Sequence, residues 1–597
     1  MTKNIIYVII LYKKPYIKGK AGNHMSYIKE YELWLQNVTG TERSELENIR
    51  NNDNEIKERF HASLEFGTAG LRGIIGLGIN RMNSYVVARA TQGLSNQLKK
   101  TNTDGKALSV CIAYDSRNKS EEFARTAARV LAANGIKAYI FPELKPVPEL
   151  SFSVRFKKAA AGIAITASHN PAKYNGYKVY GSDGAQLSPE LASIVLEEIE
   201  KTPMFGGAKI IDFEEGLTSG MIEFLGEETE NAYLDNVLAQ SQNPEIVKKA
   251  GKNMKFVYTP LHGSGNKLVR AALGKLGFEN VLVVKEQEAP DGDFPTVTSP
   301  NPENKEAFTL AIDLAKKNDA DLIIGTDPDA DRVGILVRDK SGEYVALTGN
   351  QTGVLLCEYI LSSKKEKGTL PKDGFVVKTI VTTNLAKEIC DFYGVELKDV
   401  LTGFKFIGEK IKEAEESGKG TYLFGFEESY GSLTGTYARD KDAVSASMLI
   451  AEMAVYYKEK GLSLYDQLQK IYEKYGFYHE FVESITMEGL DGIAKIKAIM
   501  ENIRQNPPKT LGGKKVLAVR DYSTSLRTDT ESGKTEEIFL PKSNVLYFEL
   551  EDKNNFIVRP SGTEPKIKLY CLLQGKTPDE TSKIAKLLGE DIKTLTK

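Results

Sequence analysis

At 597 residues the chain exceeds what one hydrophobic core supports, and at about 150 residues per domain it divides into three or four. Its 41% hydrophobic and 27% charged residues exclude a disordered or fibrous chain. With 79 Lys plus Arg against 81 Asp plus Glu, the net charge of -2 gives no overall field toward nucleic acid or an anionic membrane, so an anionic ligand needs a local pocket.

Residues 5–11 are apolar between Lys3 and the pair Lys13 and Lys14, far short of the roughly 20 residues that span a bilayer. No small-residue cleavage site follows, which argues against a secretory signal. Met25 opens an amphipathic run to Leu35 and is read as the start of the fold, with residues 1–24 an extension outside it. Cys111, Cys357, Cys390 and Cys571 form no C-x-x-C pair and lie in apolar contexts. They are read as buried free thiols, which suits a reducing cytoplasm.

The spacing next predicts one rhythm three times. Strand-like runs at 109–113, 137–141 and 159–165 alternate with helical stretches, the first over 120–134. The second unit has strands at 255–258, 281–284 and 321–324 and helices at 266–276 and 305–317. The third has strands at 375–379, 395–399 and 421–424 and helices at 384–392 and 406–416. Such alternation implies parallel sheets with crossover helices, whose ligands sit beyond the carboxyl ends of strands. After about residue 475, strands at 516–519, 545–550, 556–559 and 567–572, a hairpin turn at 552–555 and a helix over 578–595 predict an antiparallel α+β domain. The expected layout is three similar mixed α/β domains plus a C-terminal α+β domain around a central cleft, with boundaries at 25–230, 231–346, 347–474 and 475–597.

The last strand of each unit ends in a chemically rich loop. The first is Thr166-Ala167-Ser168-His169-Asn170-Pro171; Ser168, with His169 beside it and Lys178 ten residues on, has the nucleophile, proton acceptor and cation of an acyl or phosphoryl carrier. The second places Asp327, Asp329 and Asp331 at alternate positions, three hard oxygen donors suited to a divalent cation. An EF-hand is excluded because its sixth and twelfth positions hold Arg332 and Arg338. Turns and caps are the plainer use of such aspartates, but three alternate carboxylates repel one another without a cation. Mg²⁺ is the best match, with a phosphate on Ser168 able to complete the ligand set. The third loop carries Glu427, Glu428 and Ser429, either solvated charges or acceptors for sugar hydroxyls.

In the last domain Arg559-Pro560-Ser561-Gly562-Thr563 with Lys566 reads as a turn that can cradle a phosphate, or simply as a turn. Gly67 to Gly73 puts Arg72 in a flexible glycine-rich turn. His262 either lines the cleft or serves a structural turn, while His24, His61 and His479 have no ligand-spaced partner. Gly533-Lys534-Thr535 lacks the first glycine of a Walker A loop, Thr528 standing there, and neither G-x-S-x-G nor H-E-x-x-H occurs. Nucleotide hydrolysis, α/β-hydrolase chemistry and zinc proteolysis lose their main signals.

Together these ordered motifs, from about Met25 onward, resemble the α-D-phosphohexomutase family. The resemblance implies four domains around a cleft and a reversible shift of phosphate between C1 and C6 of a hexose. It implies Ser168 as the phosphorylated carrier and as a metal ligand with Asp327, Asp329 and Asp331. It implies Glu427 and Ser429 in the sugar loop, Arg559, Ser561, Gly562 and Thr563 in a phosphate clamp, and Arg72, His169, Lys178, Arg332 and Lys405 as cleft cations or proton carriers. Two departures stand out: Ala330 replaces a glycine common in the metal loop, and residues 426–431 read F-E-E-S-Y-G, a version resembling the branch with glucose, pentose and bisphosphate-forming members. The expected enzyme is a cytoplasmic monomer or weak dimer acting on small sugar phosphates, glucose phosphates first, with Mg²⁺ and glucose 1,6-bisphosphate as activator. Mannose or pentose phosphates, bisphosphate synthesis, phosphatase action and a non-enzymatic sugar-phosphate sensor are the rivals.

Overall fold

Three short helices, Ser26–Asn37, Gly40–Asn48 and Asp53–Phe60, close on the fully buried Trp34, which meets Phe60 edge-on at 5.9 Å. Arg59 pairs with Glu45 at 2.6 Å and Glu55 at 2.8 Å. These helices and Gly76–Arg81 belong to one of the two compact units of the computed structural model; the other holds Glu65–Ile75 and everything from Met82 on. The structure describes residues 26–65, 70–487, 492–561 and 566–596.

Among the described residues the larger unit carries four sheets. The first contains β1 (Gly70–Ile74), β2 (Ser109–Tyr114), β3 (Lys137–Ile140), β4 (Ala161–Ile165), β5 (Tyr174–Gly181) and β6 (Ile222–Phe224) in the order β1-β5-β4-β2-β3-β6. The second contains β7 (Phe256–Thr259), β8 (Val281–Val283), β9 (Leu322–Thr326), β10 (Val333–Arg338) and β11 (Tyr344–Leu347) in the order β11-β10-β9-β7-β8. The third contains β12 (Gly374–Thr379), β13 (Glu396–Val400), β14 (Thr421–Glu427) and β15 (Gly431–Leu433) in the order β13-β12-β14-β15.

These sheets are mixed, where the alternation of strands and helices predicted parallel ones. The central strands pair in parallel, as in β2 with β4, β7 with β9 and β12 with β14. Each then returns on itself, because β4 with β5, β9 with β10 and β14 with β15 are antiparallel. A parallel crossover needs a dozen or more residues, and the links between these strands are shorter, so the chain can only turn back. The returns are the segments carrying Ser168, the aspartates and Glu428-Ser429, so the chemistry sits on tight loops at the tips of buried strands.

Among the described residues the fourth sheet is antiparallel, running Phe477–Thr486, Lys566–Gly575, Asn555–Pro560, Leu546–Leu550, Lys514–Asp521, Leu526–Asp529 and Thr535–Glu537. Helices Gly492–Gln505 and Pro578–Leu595 supply Met500, Ile584 and Leu588 to its core. Phe477–Thr486 and the Leu526 to Glu537 hairpin escaped the sequence reading because polar residues at His479, Glu480 and Glu483, and along Thr535–Glu537, mask their apolar alternation. Helix Ala443–Glu459 is buried through Tyr457 and capped by Asp442, which accepts from Val444 N at 2.8 Å and Ser445 N at 3.0 Å. No helix among the described residues is long and apolar enough to cross a membrane.

Candidate active site

Ser168 follows the fully buried β4 and takes a φ of +52°, the left-handed region that a serine adopts only when its surroundings impose it. Its hydroxyl donates to Asp327 Oδ2 at 2.8 Å, and its Oγ lies 3.3 Å from His169 Nδ1. Its backbone N–H donates to Thr166 Oγ1 at 2.8 Å. Burial, then Arg332 and Arg72, push the His169 imidazole well below its ordinary pKa, so it is neutral near pH 7 and a weak base.

Asp327, Asp329 and Asp331 are all buried, with ligand oxygens within 4.8 Å of one another. Burial and the other two carboxylates push Asp327 well above the ordinary carboxylate range. Burial and Asp329 also raise Asp331. Burial works the same way on Asp329, but the Lys178 ammonium at 2.9 Å outweighs it and holds Asp329 low. Lys441 faces Asp331 at 3.1 Å and Asp440 at 3.2 Å; burial opposes its charge, and these carboxylates with Glu427 hold it above its ordinary value. Asp329 Oδ1 and Asp331 Oδ1 are buried yet accept no hydrogen bond. Orphaned hard oxygens without nitrogen or sulfur donors fit a divalent cation of the magnesium or calcium kind.

A cavity of about 540 Å³ opens beside this cluster and draws its walls from all four sheets. Arg72, Ser168, His169 and Lys178 come from the first domain, Glu303, Asp331 and Arg332 from the second. Glu427, Ser429 and Lys441 come from the third, Glu480, Arg559 and Lys568 from the fourth. Glu427 Oε1 accepts from Gly403 N at 2.8 Å, and burial pushes this carboxyl up to about 7. Glu428 instead turns back, its Oε2 within 3.3 Å of Thr379 Oγ1 and 3.1 Å of Thr382 Oγ1. Arg332 Nη1 holds Glu303 Oε1 at 2.5 Å.

Most residues expected at the site meet there. Arg72 stands on strand β1 and donates to Asn170 Oδ1 at 3.1 Å, rather than riding a flexible turn. Lys405 does not line the cavity; it borders a neighbouring one of about 310 Å³ that shares only Gln186, and burial lowers it to about 8. Ser561 N donates to Lys566 O at 2.7 Å, whereas Gly562, Thr563 and Gly67 to Ala69 lie outside the described residues. His262 takes the structural reading, with its ring nitrogens 3.1 Å from Ala289 O and 2.9 Å from Thr296 Oγ1. All four cysteines are buried thiols, and Cys357, distant from Cys390 in sequence, neighbours it in space; that contact and burial raise Cys357. Sequence reasoning missed Arg117, Glu303, Lys441, Glu480 and Lys568. Only Lys441 had a readable signal, the charged run Arg439 to Asp442 directly before an apolar helix.

Three family models match in chain order: phosphoglucomutase/phosphomannomutase alpha/beta/alpha domain I over residues 63–204, domain II over 231–342 and domain III over 348–475. A phosphoglucomutase of Staphylococcus aureus (strain MSSA476) is 39% identical over 554 residues, 92% of this chain and 97% of that protein. A phosphoglucomutase/phosphomannomutase family protein from Burkholderia thailandensis superposes with a TM-score of 0.62 at 17% identity, covering 89% of this chain and 97% of that one. The open form of the exocytosis-sensitive phosphoprotein parafusin, a phosphoglucomutase from Paramecium, gives 0.65 at 18% identity, covering 90% and 95%. The two structures establish the shared fold. Identity sustained along nearly the whole bacterial relative, well beyond the motif loops, establishes descent, and the chain belongs to the phosphoglucomutase/phosphomannomutase family.

Proposed function

We propose that the protein interconverts glucose 1-phosphate and glucose 6-phosphate through a phosphorylated Ser168 and a glucose 1,6-bisphosphate intermediate. The observation that carries this reading is the hydroxyl of Ser168, 2.8 Å from Asp327 in a buried aspartate triad and open to a cavity walled by Arg72, Lys178, Arg332, Lys441, Arg559 and Lys568. In the forward direction phosphoserine gives its phosphoryl group to O6 of glucose 1-phosphate. The P–O bond to Ser168 breaks, a P–O bond to O6 forms, and the O6 proton passes to a base. The bisphosphate turns end for end, and Ser168 takes the C1 phosphoryl group to release glucose 6-phosphate.

Asp327, Asp329 and Asp331 would hold Mg²⁺, which when bound offsets the charge on the transferring phosphoryl group. Of the two candidate proton acceptors, His169 lies 3.3 Å from Oγ and is neutral though weakly basic, whereas Lys178 is engaged by Asp329. Glu427 and Ser429 would accept from sugar hydroxyls, while Arg559, Ser561 and Lys568 would hold the phosphate that is not reacting, a clamp to which the family resemblance adds Gly562 and Thr563. Arg72 and Arg332 would steady the transferring group, with Lys405 supplying charge to the neighbouring cavity.

Incubation with glucose 1-phosphate, Mg²⁺ and catalytic glucose 1,6-bisphosphate should yield glucose 6-phosphate. Release of inorganic phosphate without it would contradict the reading. Glucose 1-phosphate should exceed mannose 1-phosphate and ribose 1-phosphate in kcat/KM, and a preference for ribose would reassign the sugar.

A further inference from the structure

Arg117 is a guanidinium with no exposed side-chain surface, and it does not line the cavity. All four of its terminal hydrogen bonds go to main-chain carbonyls between Ser168 and Tyr174, the return loop and the first residue of β5. Nη1 donates to Pro171 O and Tyr174 O, each at 3.0 Å; Nη2 donates to Ser168 O at 2.6 Å and Asn170 O at 2.5 Å. Behind it Asp115 lies 3.2 Å from Arg117 Nε and accepts the Arg117 backbone N–H at 3.0 Å. Asp115 Oδ2 accepts the Thr166 hydroxyl at 2.7 Å, and Thr166 Oγ1 in turn accepts Ser168 N–H at 2.8 Å. The Phe294 ring covers the guanidinium at 5.0 Å.

Both backbone polar groups of Ser168 are therefore fixed from one source, the carbonyl by Arg117 and the N–H through Asp115 and Thr166. We propose that Arg117 is a positioning residue for phosphoryl transfer, imposing the left-handed turn that aims Ser168 Oγ at the aspartate triad. The inference rests on the reading of Ser168 as the phosphoryl carrier. A planar fork of donors suits four carbonyls in a way that a lysine ammonium does not. Seclusion under Phe294 strengthens each bond by lowering the local dielectric. Simple fold stabilisation is the competing account, and it predicts a loss of stability without a selective loss of turnover.

The test compares full-length wild type with Arg117→Lys and Arg117→Ala. It reads kcat, KM for glucose 1-phosphate, the phosphate on Ser168 by intact mass after treatment with glucose 1,6-bisphosphate, and Tm. A displaced nucleophile should lower kcat about 100-fold while KM stays within about threefold, with slower loading of Ser168. Low-millimolar guanidinium should restore part of the kcat of Arg117→Ala; if that variant does not fold, Arg117→Lys carries the comparison alone. Wild-type kcat with only Tm lowered would overturn the assignment, as would a folded Arg117→Ala that guanidinium does not rescue. A wild-type protein that takes no phosphate on Ser168 would instead defeat the carrier reading on which the inference stands.

Discussion

Lys441 and Glu427 show how single side chains tune the site. Lys441 neutralises part of the triad at Asp331, beside Lys178, so it competes with any cation held there. Lys441→Met should therefore lower the Mg²⁺ concentration for half-maximal activity by about tenfold while also lowering kcat, since a charge that balances the transferring group is lost. A Mg²⁺ titration of initial rates checks both signs. Glu427 is a buried carboxyl pushed from 4.5 to about 7, so the folded protein keeps a proton there that the unfolded chain releases. Its contribution to stability thus worsens as pH rises from about 4.5 to about 7 and is constant above. Glu427→Gln keeps an acceptor for Gly403 N–H and removes the titration. In metal-free protein its Tm advantage over wild type should grow from pH 5 to pH 8, and a flat difference would refute this account of Glu427.

At the scale of elements, three strand tips had to converge, and glycines let them do so. A Cβ on Gly349, at the start of helix Gly349–Glu366, would lie 2.2 Å from Glu428 O, which is backbone and cannot swing aside. Gly349→Ala should push the sugar loop outward, costing about 1 to 3 kcal/mol in chemical unfolding and raising KM more than it lowers kcat. The same elements mark how far sequence could reach. Ser168 and the aspartates were legible because a serine or three alternate carboxylates after an apolar strand is a pattern within a few consecutive residues. Arg117 and Glu303 were not, because their meaning comes from partners remote in the chain, Arg117 from Ser168 and Glu303 from Arg332; Lys441 showed only as part of a charged run, its role coming from the remote Asp331. The central strands were legible from apolar runs. Those strands pair in parallel as expected; what went unread were the return strands β5, β10 and β15, which follow short loops and make the sheets mixed.

Across the larger unit, the fourth sheet joins the third domain through Ile380, Val381 and Leu401 packed with Tyr522, Val545 and Tyr547. That contact places Arg559 and Lys568 in the same cavity as Ser168. Cation binding should report on this assembled state, since the triad exists only when the chain is folded. Mg²⁺ at 100 times its Kd should stabilise the protein by about 2.7 kcal/mol, seen as a rise in Tm, and Asp331→Asn should remove most of that rise. Whether Ser168 carries phosphate between the two ends of one sugar can be read from the fate of that phosphate itself. Protein loaded with labelled phosphate on Ser168 is mixed with unlabelled glucose 1-phosphate and Mg²⁺. Label should appear in glucose 6-phosphate and in the bisphosphate within one turnover. Label released only as inorganic phosphate, or retained on the protein while glucose 6-phosphate forms, would contradict that role.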